Sequence, residues 1–457
     1  MEWVPQGHAR ELGKSHLLML VPWLEPGGAD RCNLDVLAAL RDRGWSLTVV
    51  ASLAAAHRWQ HRFRQLTPDV WILPDFISAE KVPYFIDYLL ATRPPSLLLI
   101  SNSDLGYGAL GLVRQRYRRL PIIDLNHMEE AWGGGGFPSR AVQHSAALDR
   151  HLVISAHLKD WLVSRGVDAQ KVQVLRWFAD TDRWKPNLEV RSRVRKQLCI
   201  SEHDVLIAYA GRICRQKRPE IFVASLKMLI DRGIAVSAVV LGDGELSGDL
   251  REELKRSGLE EYVRMLGWRS EEGVREWFQA ADIFFLPSAA EGIALVLYEA
   301  MAAGVAVVAA KVGGQAELVT PDCGFLVERS DSVTEVRRYA DCLGMLAVDP
   351  VLLAQMKIAS ASRIREEFGR SQFESGLEHM LRSIDGSSTG YVSAHEMADS
   401  VARLSMQWRV YRTLTRLQRL PFFRSLWFER AVKVWFLVRG LGVGALWDKV
   451  ICTRRRA

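Results

Sequence analysis

Short apolar runs alternate with helical stretches from residue 16 to about residue 385, and this alternation constrains the fold more than any other feature. A series of strand–helix units predicts a parallel sheet with helices on both faces. The predicted strands of the first series are His16–Pro22, Leu47–Ser52, Trp71–Leu73, Leu97–Ser101, Ile122–Asn126, Leu152–Ser155 and Val172–Leu175.

The same pattern begins again after residue 204, which predicts a second sheet of the same kind. Its predicted strands are Val205–Gly211, Val236–Leu241, Val263–Leu266, Ile283–Pro287, Val305–Ala309 and Gly324–Val327, and a helix is predicted over Pro219–Asp231. The polar stretch from Arg183 to Asp204 is the predicted linker.

We therefore expect an α/β protein with two tandem doubly wound domains, residues 1–186 and 187–385, and a distinct segment at 386–457. Parallel sheets bind ligands beyond the carboxyl ends of their strands, so two such domains facing each other are expected to form a ligand cleft.

One apolar stretch imitates a membrane span. Residues 293–310 are almost entirely apolar, but Glu299 lies inside the run and Gly304 interrupts it. We interpret the stretch as a buried helix, a turn and a buried strand.

The six cysteines are scattered and include no C-x-x-C pair, which argues against a disulfide framework or a zinc knuckle and fits a reducing compartment. The N-terminus has no signal-peptide pattern, so we expect a cytoplasmic protein.

Positive charge is concentrated in the last 57 residues. Residues 401–457 hold thirteen Lys/Arg against two acids, so that residues 1–400 carry a net charge of −4 within a total of +7. The charge pattern predicts that this segment meets an anionic surface. Residues 385–390 form a predicted flexible joint before it.

The basic segment has two interpretations. Residues 403–420 predict an amphipathic helix that ends at Pro421 and carries Arg409, Arg412, Arg416 and Arg419 on one face. Seven aromatic residues follow among Arg and Lys: Phe422, Phe423, Trp427, Phe428, Trp435, Phe436 and Trp447. We favour peripheral contact with the inner face of an anionic membrane through residues 401–457. The alternative is a helical hairpin packed on the body; nucleic acid is not expected, since no recognition motif accompanies the charge.

The segment FFLPSAAEGIALVLYEAMAAGVAVVAAKVGGQAELV at residues 284–319 carries the strongest chemical signal. Glu291 is expected in the loop after a strand, and Glu299 two turns into the next helix, on its buried side. The amides of Gly292, Ile293 and Ala294 would form a helix N-terminus suited to phosphate. For Glu299 alone, a paired structural acid is the alternative.

A second signal is the turn AGRICRQKRP at residues 210–219. Arg212 and Lys217 follow a strand and precede a helix, where fixed positive groups can neutralise a diphosphate leaving group. A solvated basic turn is the alternative interpretation.

Four weaker candidates also lie at predicted strand ends: Gly28, His127, Gly242 and Trp268. Each also has a purely structural explanation, such as an ordinary turn or a structural histidine. The Asp180–Thr–Asp182 run looks like a metal-binding Asp-x-Asp motif, but we interpret it as structural.

These motifs together resemble glycosyltransferase family 4, a family of retaining enzymes with the GT-B fold, in which two Rossmann-like domains face each other across a cleft. The resemblance covers roughly residues 16–385 and is most specific in Glu291 and Glu299 with their flanking residues. The basic turn and the later Val312-Gly-Gly with Glu317 add support.

The resemblance implies roles for these positions. Arg212 and Lys217 correspond to the pair that binds the donor diphosphate, Glu299 to the residue that holds the ribose, and Glu291 to the acid near the transferred sugar. Gly292, Ile293 and Ala294 approach the sugar and phosphate, His127 lies beside the sugar, and Gly28 approaches the diphosphate. Gly242 and Trp268 are expected to border the nucleotide. The family needs no metal or other cofactor.

Two positions depart from the family's pattern. Ala294 stands where proline is common, and Trp177-Phe-Ala-Asp180 stands where an asparagine-containing segment is common, which removes any polar role at Trp177.

We predict a retaining glycosyltransferase that moves a sugar from a nucleotide-diphosphate sugar to a hydroxyl of a lipid-linked or cell-surface glycan. The alternatives are a GT-B epimerase acting on the nucleotide sugar itself and a non-catalytic GT-B scaffold.

Overall fold

The computed structural model describes residues 15–130, 134–384, 386 and 394–417. These residues form two compact units. Unit 1 comprises the described residues within 1–153, 161–173 and 380–457, and unit 2 those within 154–160 and 174–379.

The first sheet has seven parallel strands, and its order of strands is β3-β2-β1-β4-β5-β6-β7. The strands are β1 His16–Val21, β2 Ser46–Ala51, β3 Val70–Ile72, β4 Leu97–Ser101, β5 Ile122–Asn126, β6 Arg150–Val153 and β7 Val172–Val174. Every predicted strand of the first series is confirmed, with bounds that differ by two residues at most.

Helices connect these strands. They are α1 Gly28–Asp42, α2 Gln60–Leu66, α3 Leu73–Phe76, α4 Val82–Thr92, α5 Asp104–Arg116, α6 Phe137–Gln143 and α7 Ala156–Val163. The central strands are buried throughout, because helices cover both faces of a parallel sheet.

The second sheet has six parallel strands in the order β10-β9-β8-β11-β12-β13. They are β8 Leu206–Ala210, β9 Ser237–Leu241, β10 Val263–Gly267, β11 Ile283–Leu286, β12 Ala306–Ala310 and β13 Gly324–Val327. The helices around them are α8 Leu188–Gln197, α9 Pro219–Asp231, α10 Ser247–Arg256, α11 Glu271–Ala280, α12 Leu295–Ala302, α13 Gln315–Leu318, α14 Ser332–Val348, α15 Pro350–Glu367 and α16 Arg370–Ser383.

The apolar stretch 293–310 is confirmed as α12, a turn and β12, all within the core of unit 2. Among the described residues, no single helix has the length and apolar character to cross a membrane. The helical segments 332–348 and 350–383 reach that length and apolar character only together, and they are bent by 101° relative to each other.

The polar stretch interpreted as a linker contains a helix instead. Within it, α8 is held by Arg195, which is 1% exposed and donates hydrogen bonds to Asp282 (3.1 Å) and to the Ala280 carbonyl (3.1 Å). The polar composition of this stretch favoured a linker, and in α8 the charge of Arg195 is satisfied by burial against a carboxylate.

The described part of the basic segment is one long helix, α17 Ala394–Leu417. It packs on unit 1: Leu404 and Trp408 are 3% and 4% exposed, and the Trp408 indole donates a 2.7 Å hydrogen bond to the Ser52 carbonyl. Arg412 also donates a hydrogen bond to the Pro74 carbonyl (3.1 Å). The predicted helix therefore begins nine residues earlier than expected, and its apolar side covers protein. Arg419, Pro421 and the seven aromatic residues from Phe422 to Trp447 lie outside the described residues.

Trp408 is expected to be the main anchor of α17. Trp408→Ala removes a buried aromatic ring, a change worth about 3–5 kcal/mol, so the α17 amides should exchange with solvent about 100-fold faster or more. Trp408→Phe keeps most of the packing and loses the hydrogen bond, which is worth about 1 kcal/mol. Hydrogen exchange read by mass spectrometry measures both effects, with Arg409→Ala as the exposed neighbouring control. Unchanged exchange in Trp408→Ala would show that α17 is held by other contacts.

Candidate functional site

The carboxyl edge of the second sheet gathers the strongest candidates. In this sheet β8 and β11 are neighbours. The chain continues from β8 toward one edge of the sheet, through β9 and β10, and from β11 toward the other edge, through β12 and β13. The topological switch point therefore lies between β8 and β11. The loop after β8 carries Arg212 and Lys217, and the loop after β11 carries Glu291. Ligands of doubly wound sheets bind at such a point, because the diverging loops leave a crevice there.

Lys217 and Glu291 meet directly. The Lys217 Nζ lies 2.5 Å from the Glu291 Oε1, and both side chains are largely buried, at 15% and 8% exposure. The lysine is held at its other end as well, because its amide donates to the Cys214 carbonyl (3.0 Å) and its carbonyl accepts from the Tyr209 hydroxyl (3.2 Å). A close pair with little exposure is a strong electrostatic interaction.

Gln216 joins the same two loops and was not among the predicted residues. Its backbone carbonyl accepts from the Ala289 amide (2.7 Å), and its side-chain amide donates to the Ala290 carbonyl (2.8 Å). Three successive residues of the loop are therefore bound to the turn. Gln216 contacts Ala289 and Ala290, and Lys217 contacts Glu291. A lone glutamine in a basic turn gives no sequence signal for this role.

Arg212 lies in the same turn but is exposed, and none of the described residues accepts a hydrogen bond from its guanidinium. It is thus available to an anion. Glu299 is the fifth residue of α12, little more than one turn from its start rather than the predicted two, and it is half-buried.

The backbone between these two acids is arranged for close contact. Ala294 is the N-cap of α12, and no described residue accepts a hydrogen bond from the amides of Gly292, Ile293 and Ala294. Unused amides before a helix are the groups that bind phosphate or sugar oxygens.

A second glycine-rich loop packs closely against the backbone of Glu291 and Gly292. Gly313, with φ 53°, lies so near that a Cβ there would be 1.8 Å from the Glu291 carbonyl oxygen, and the Gly314 amide donates to the Gly292 carbonyl (2.6 Å). Only glycine fits this position, because it combines positive φ with a backbone contact. The loop after β12 therefore supports the loop of Glu291.

The Val312-Gly-Gly…Glu317 motif also makes a structural contact within unit 2. The Glu317 carboxylate accepts hydrogen bonds from the amides of Ala156 (2.8 Å) and His157 (2.9 Å) at the start of α7. Carboxylates at a helix start satisfy otherwise unpaired amides.

Gly242 lies in the loop after β9. With φ 135° it leaves room for the Gly211 carbonyl oxygen, which would be 1.9 Å from a Cβ at this position, and its amide donates to the Gly267 carbonyl (2.9 Å). The loops after β8, β9 and β10 are thereby joined. Trp268 follows β10, and its side chain is 70% exposed.

Two predicted residues belong to unit 1. His127 follows β5 and is 8% exposed, with its Nε2 3.2 Å from the Ser101 Oγ. Burial lowers the pKa of His127 from 6.5 to about 4, so the imidazole is neutral near pH 7. Gly28 is exposed and is the first residue of α1.

The turn around Gly28 contains an acid that the sequence did not single out. Asp30 is 4% exposed and accepts a hydrogen bond from the Glu25 amide (3.0 Å). Burial raises the pKa of Asp30 to about 7, against the lowering effect of that hydrogen bond. Acids in the first turn of a helix are common, so the burial of Asp30, the third residue of α1, could not be foreseen.

The remaining motif, Asp180-Thr-Asp182, makes local backbone contacts. The Asp180 carboxylate accepts from the amides of Asp182 and Arg183 (both 3.2 Å) and so caps a turn. Trp177 is 3% exposed and packs edge-on against Phe373, with ring centroids 4.8 Å apart.

The buried His127 should make stability depend on pH. Its pKa is lower in the folded than in the unfolded state, so folding stability is complete above pH 6.5 and is lost as the pH falls toward 4. The full effect is about 3 kcal/mol. Asp30 acts in the opposite direction, since its raised pKa stabilises the fold at low pH.

The measurement is therefore the difference between wild type and His127→Gln in urea unfolding at pH 7 and pH 4.5. The variant is expected to lose less stability on acidification than the wild type. Equal losses would contradict a buried neutral His127.

Comparisons with known proteins agree with this architecture. Residues 204–343 match the family model described as "Glycosyl transferases group 1". The amylovoran biosynthesis glycosyltransferase AmsK of Erwinia amylovora is 22% identical over 326 residues, 65% of this chain and 70% of that protein. The UDP-Gal:alpha-D-GlcNAc-diphosphoundecaprenol alpha-1,3-galactosyltransferase of Escherichia coli is 29% identical over 169 residues, 36% of this chain and 43% of that protein.

Among solved structures, Anabaena HepE in complex with UDP and glucose superposes with a TM-score of 0.67 at 21% identity, covering 81% of this chain and 100% of that one. The match of residues 204–343 to this family model, the two parallel sheets and these similarities identify the chain as a glycosyltransferase of the GT-B fold.

Proposed function

We propose that the protein transfers a sugar, with retention of the anomeric configuration, from a nucleotide-diphosphate sugar bound by unit 2 to a hydroxyl acceptor. The observation that carries this proposal is the 2.5 Å pair between Lys217 and Glu291 at the switch point of the second sheet. It brings a positive group for a diphosphate and an acid for a sugar to one place, with an exposed Arg212 in the same turn.

The donor diphosphate is assigned to Arg212 and Lys217. Guanidinium and ammonium groups form short charge-assisted hydrogen bonds with phosphate oxygens. The unused amides of residues 292–294 add donors for the sugar and phosphate oxygens, Glu299 binds the ribose hydroxyls, and Gly242 and Trp268 border the base.

The pair of Lys217 and Glu291 has a consequence for binding. Without a donor, each group neutralises the other; with the donor bound, the diphosphate competes for the lysine, and the Glu291 carboxylate becomes available to sugar hydroxyls. The site thus holds its two working groups in place while the fold keeps the buried charges paired.

The reaction follows from these positions. The bond between the anomeric carbon and the diphosphate oxygen breaks, and its electrons stay on the diphosphate, where Arg212 and Lys217 stabilise the new charge. The acceptor oxygen bonds to the anomeric carbon on the same face, and its proton passes to the departing phosphate oxygen. We assign neutral His127 and Gly28 of unit 1 to this reaction, as a hydrogen-bonding group at the sugar and an approach point for the diphosphate.

No metal is assigned to the reaction, because the cationic side chains of Arg212 and Lys217 can provide the positive charge that a metal would supply at a diphosphate. Activity is accordingly expected to persist in EDTA.

Donor binding is tested by a thermal-shift screen of nucleotide sugars. A donor present at 100 times its dissociation constant should add about 2.7 kcal/mol of stability to the wild type. Lys217→Ala should lose that shift and lower kcat by about 100- to 1,000-fold, the usual cost of removing one fixed donor to a developing negative charge.

Arg215→Ala is the matched control, because Arg215 is an exposed arginine of the same turn with no assigned role. It should keep both the thermal shift and the turnover. Wild-type turnover by Lys217→Ala, or no shift with any nucleotide sugar, would refute the donor site. Conversion of a nucleotide sugar to its isomer without an acceptor would identify an epimerase.

For the acceptor, we propose a lipid-linked glycan reached at the cytoplasmic face of an anionic membrane. The basic residues of 401–457 support this, as does the lipid-linked acceptor in the name of the Escherichia coli relative. On α17 the apolar side packs on the rest of unit 1, and Arg409, Arg412 and Arg416 are exposed, with Arg412 also bonded to the Pro74 carbonyl. Arginines on a fixed helix suit phosphate headgroups.

Membrane contact is tested by vesicle co-sedimentation. The full chain should bind vesicles containing phosphatidylglycerol and should leave pure phosphatidylcholine vesicles in solution, with binding that weakens as salt increases. A chain ending at residue 417 keeps the packed helix α17 and should bind far less. Equal binding by the full and shortened chains would contradict a role of residues 418–457 in membrane binding. If changing Arg409, Arg412 and Arg416 to Gln in the shortened chain lowers binding further, the remaining binding is due to α17.

A further inference from the structure

Lys217 is followed by a residue whose backbone has an unusual conformation. Arg218 has φ 52° and ψ 60°, in the left-handed region, and is the N-cap of α9. Any side chain beyond glycine is strained there, because its Cβ crowds the backbone. Glycine would take this position without strain, so an arginine here indicates that its side chain contributes something.

The Arg218 side chain is buried and paired. It is 7% exposed, and its Nη1 donates to the Oε2 of Glu335, which is fully buried in the first turns of α14. Glu335 also accepts from the Arg329 Nη1 (2.7 Å) and from the Ser330 amide (2.7 Å). The carboxylate is thus well supplied with donors, and Arg218 ties the turn to α14.

Consecutive residues of the turn therefore point to different partners. Lys217 reaches Glu291 in the loop after β11, while Arg218 reaches Glu335 in α14. The left-handed bend separates the two side chains, and the contact with Glu335 holds that bend in place. We propose that Arg218 is a positioning residue: by anchoring the bend to Glu335, it aims the Lys217 ammonium at the donor diphosphate.

The proposal rests on the assignment of Lys217 to the donor, and it explains how that lysine is aimed. Catalytic groups displaced by about 1 Å can lose about 100-fold in rate. Arg218→Gly keeps the left-handed backbone accessible and removes only the anchor, so it separates the side chain's contribution from backbone strain.

The experiment compares Arg218→Gly with Arg329→Ala. Both variants remove one arginine from Glu335, but Arg329 is 37% exposed and lies outside the Lys217 turn. We expect Arg218→Gly to lower kcat/KM by about 10- to 100-fold and to raise the dissociation constant of the nucleoside diphosphate about tenfold. Arg329→Ala should keep both within about twofold, whatever its effect on the unfolding temperature.

A double-mutant cycle supplies the second readout. If Arg218 acts through Glu335, then Arg218→Gly should cost far less kcat/KM in a Glu335→Gln background than in the wild type. Arg218→Lys, which restores a cation, should recover part of the loss. All assays are made below the unfolding temperature of each variant, read by circular dichroism.

Four outcomes are distinguishable. A loss of kcat/KM in Arg218→Gly with coupling to Glu335 supports the positioning role. A drop in unfolding temperature with unchanged kcat/KM and nucleotide affinity overturns it and leaves Arg218 as a structural residue. If Lys217→Ala itself has no effect, the donor site is wrong; if Lys217→Ala is inactive and Arg218→Gly is not, only the positioning role fails.

Discussion

The structure of unit 2 depends on one constraint: opposite charges from two separate loops are brought together at the edge where neighbouring parallel strands end. Lys217 and Glu291 are 74 residues apart in the chain, and their 2.5 Å contact exists because β8 and β11 are adjacent at the switch point. Gln216 fastens the same loops through Ala289 and Ala290. A group that is both buried and charged must be paired, so the site is held in shape by the same electrostatics that it is proposed to use on a diphosphate.

Close backbone contacts make this edge rigid. Gly313 presses against the carbonyl of Glu291, and Gly242 against the carbonyl of Gly211, at positions where any Cβ would collide. These contacts connect the loops that follow four of the six strands, and the amides of residues 292–294 are held before α12 without donating to any described residue. Fixed, unused donors are the groups that need no reorganisation when negative charge develops.

In unit 1, the basic segment forms a helix that packs on protein. The basic segment gave a composition that suits a membrane surface, and the helix predicted in it is present as α17. Its apolar side, with Leu404 and Trp408, packs on protein. An amphipathic pattern predicts that the apolar side of a helix is covered, but it does not predict whether lipid or protein covers it. The exposed Arg409 and Arg416 lie on the same helix, where an anionic partner can reach them.

The sequence by itself determined the order and type of the thirteen strands, the two parallel sheets, the loops that carry Arg212, Lys217 and Glu291, and the helix that carries Glu299, because hydrophobic periodicity and chain order are local properties. Tertiary structure alone decided which side chains meet: the Lys217–Glu291 pair, the support of Gly313, the burial of Asp30, the helix α8 in the presumed linker and the link from Arg218 to Glu335. Each of these features depends on the distance between segments that are far apart in the chain, and on burial, which changes the free energy of a charged group. The local sequence pattern predicts neither the distance nor the burial.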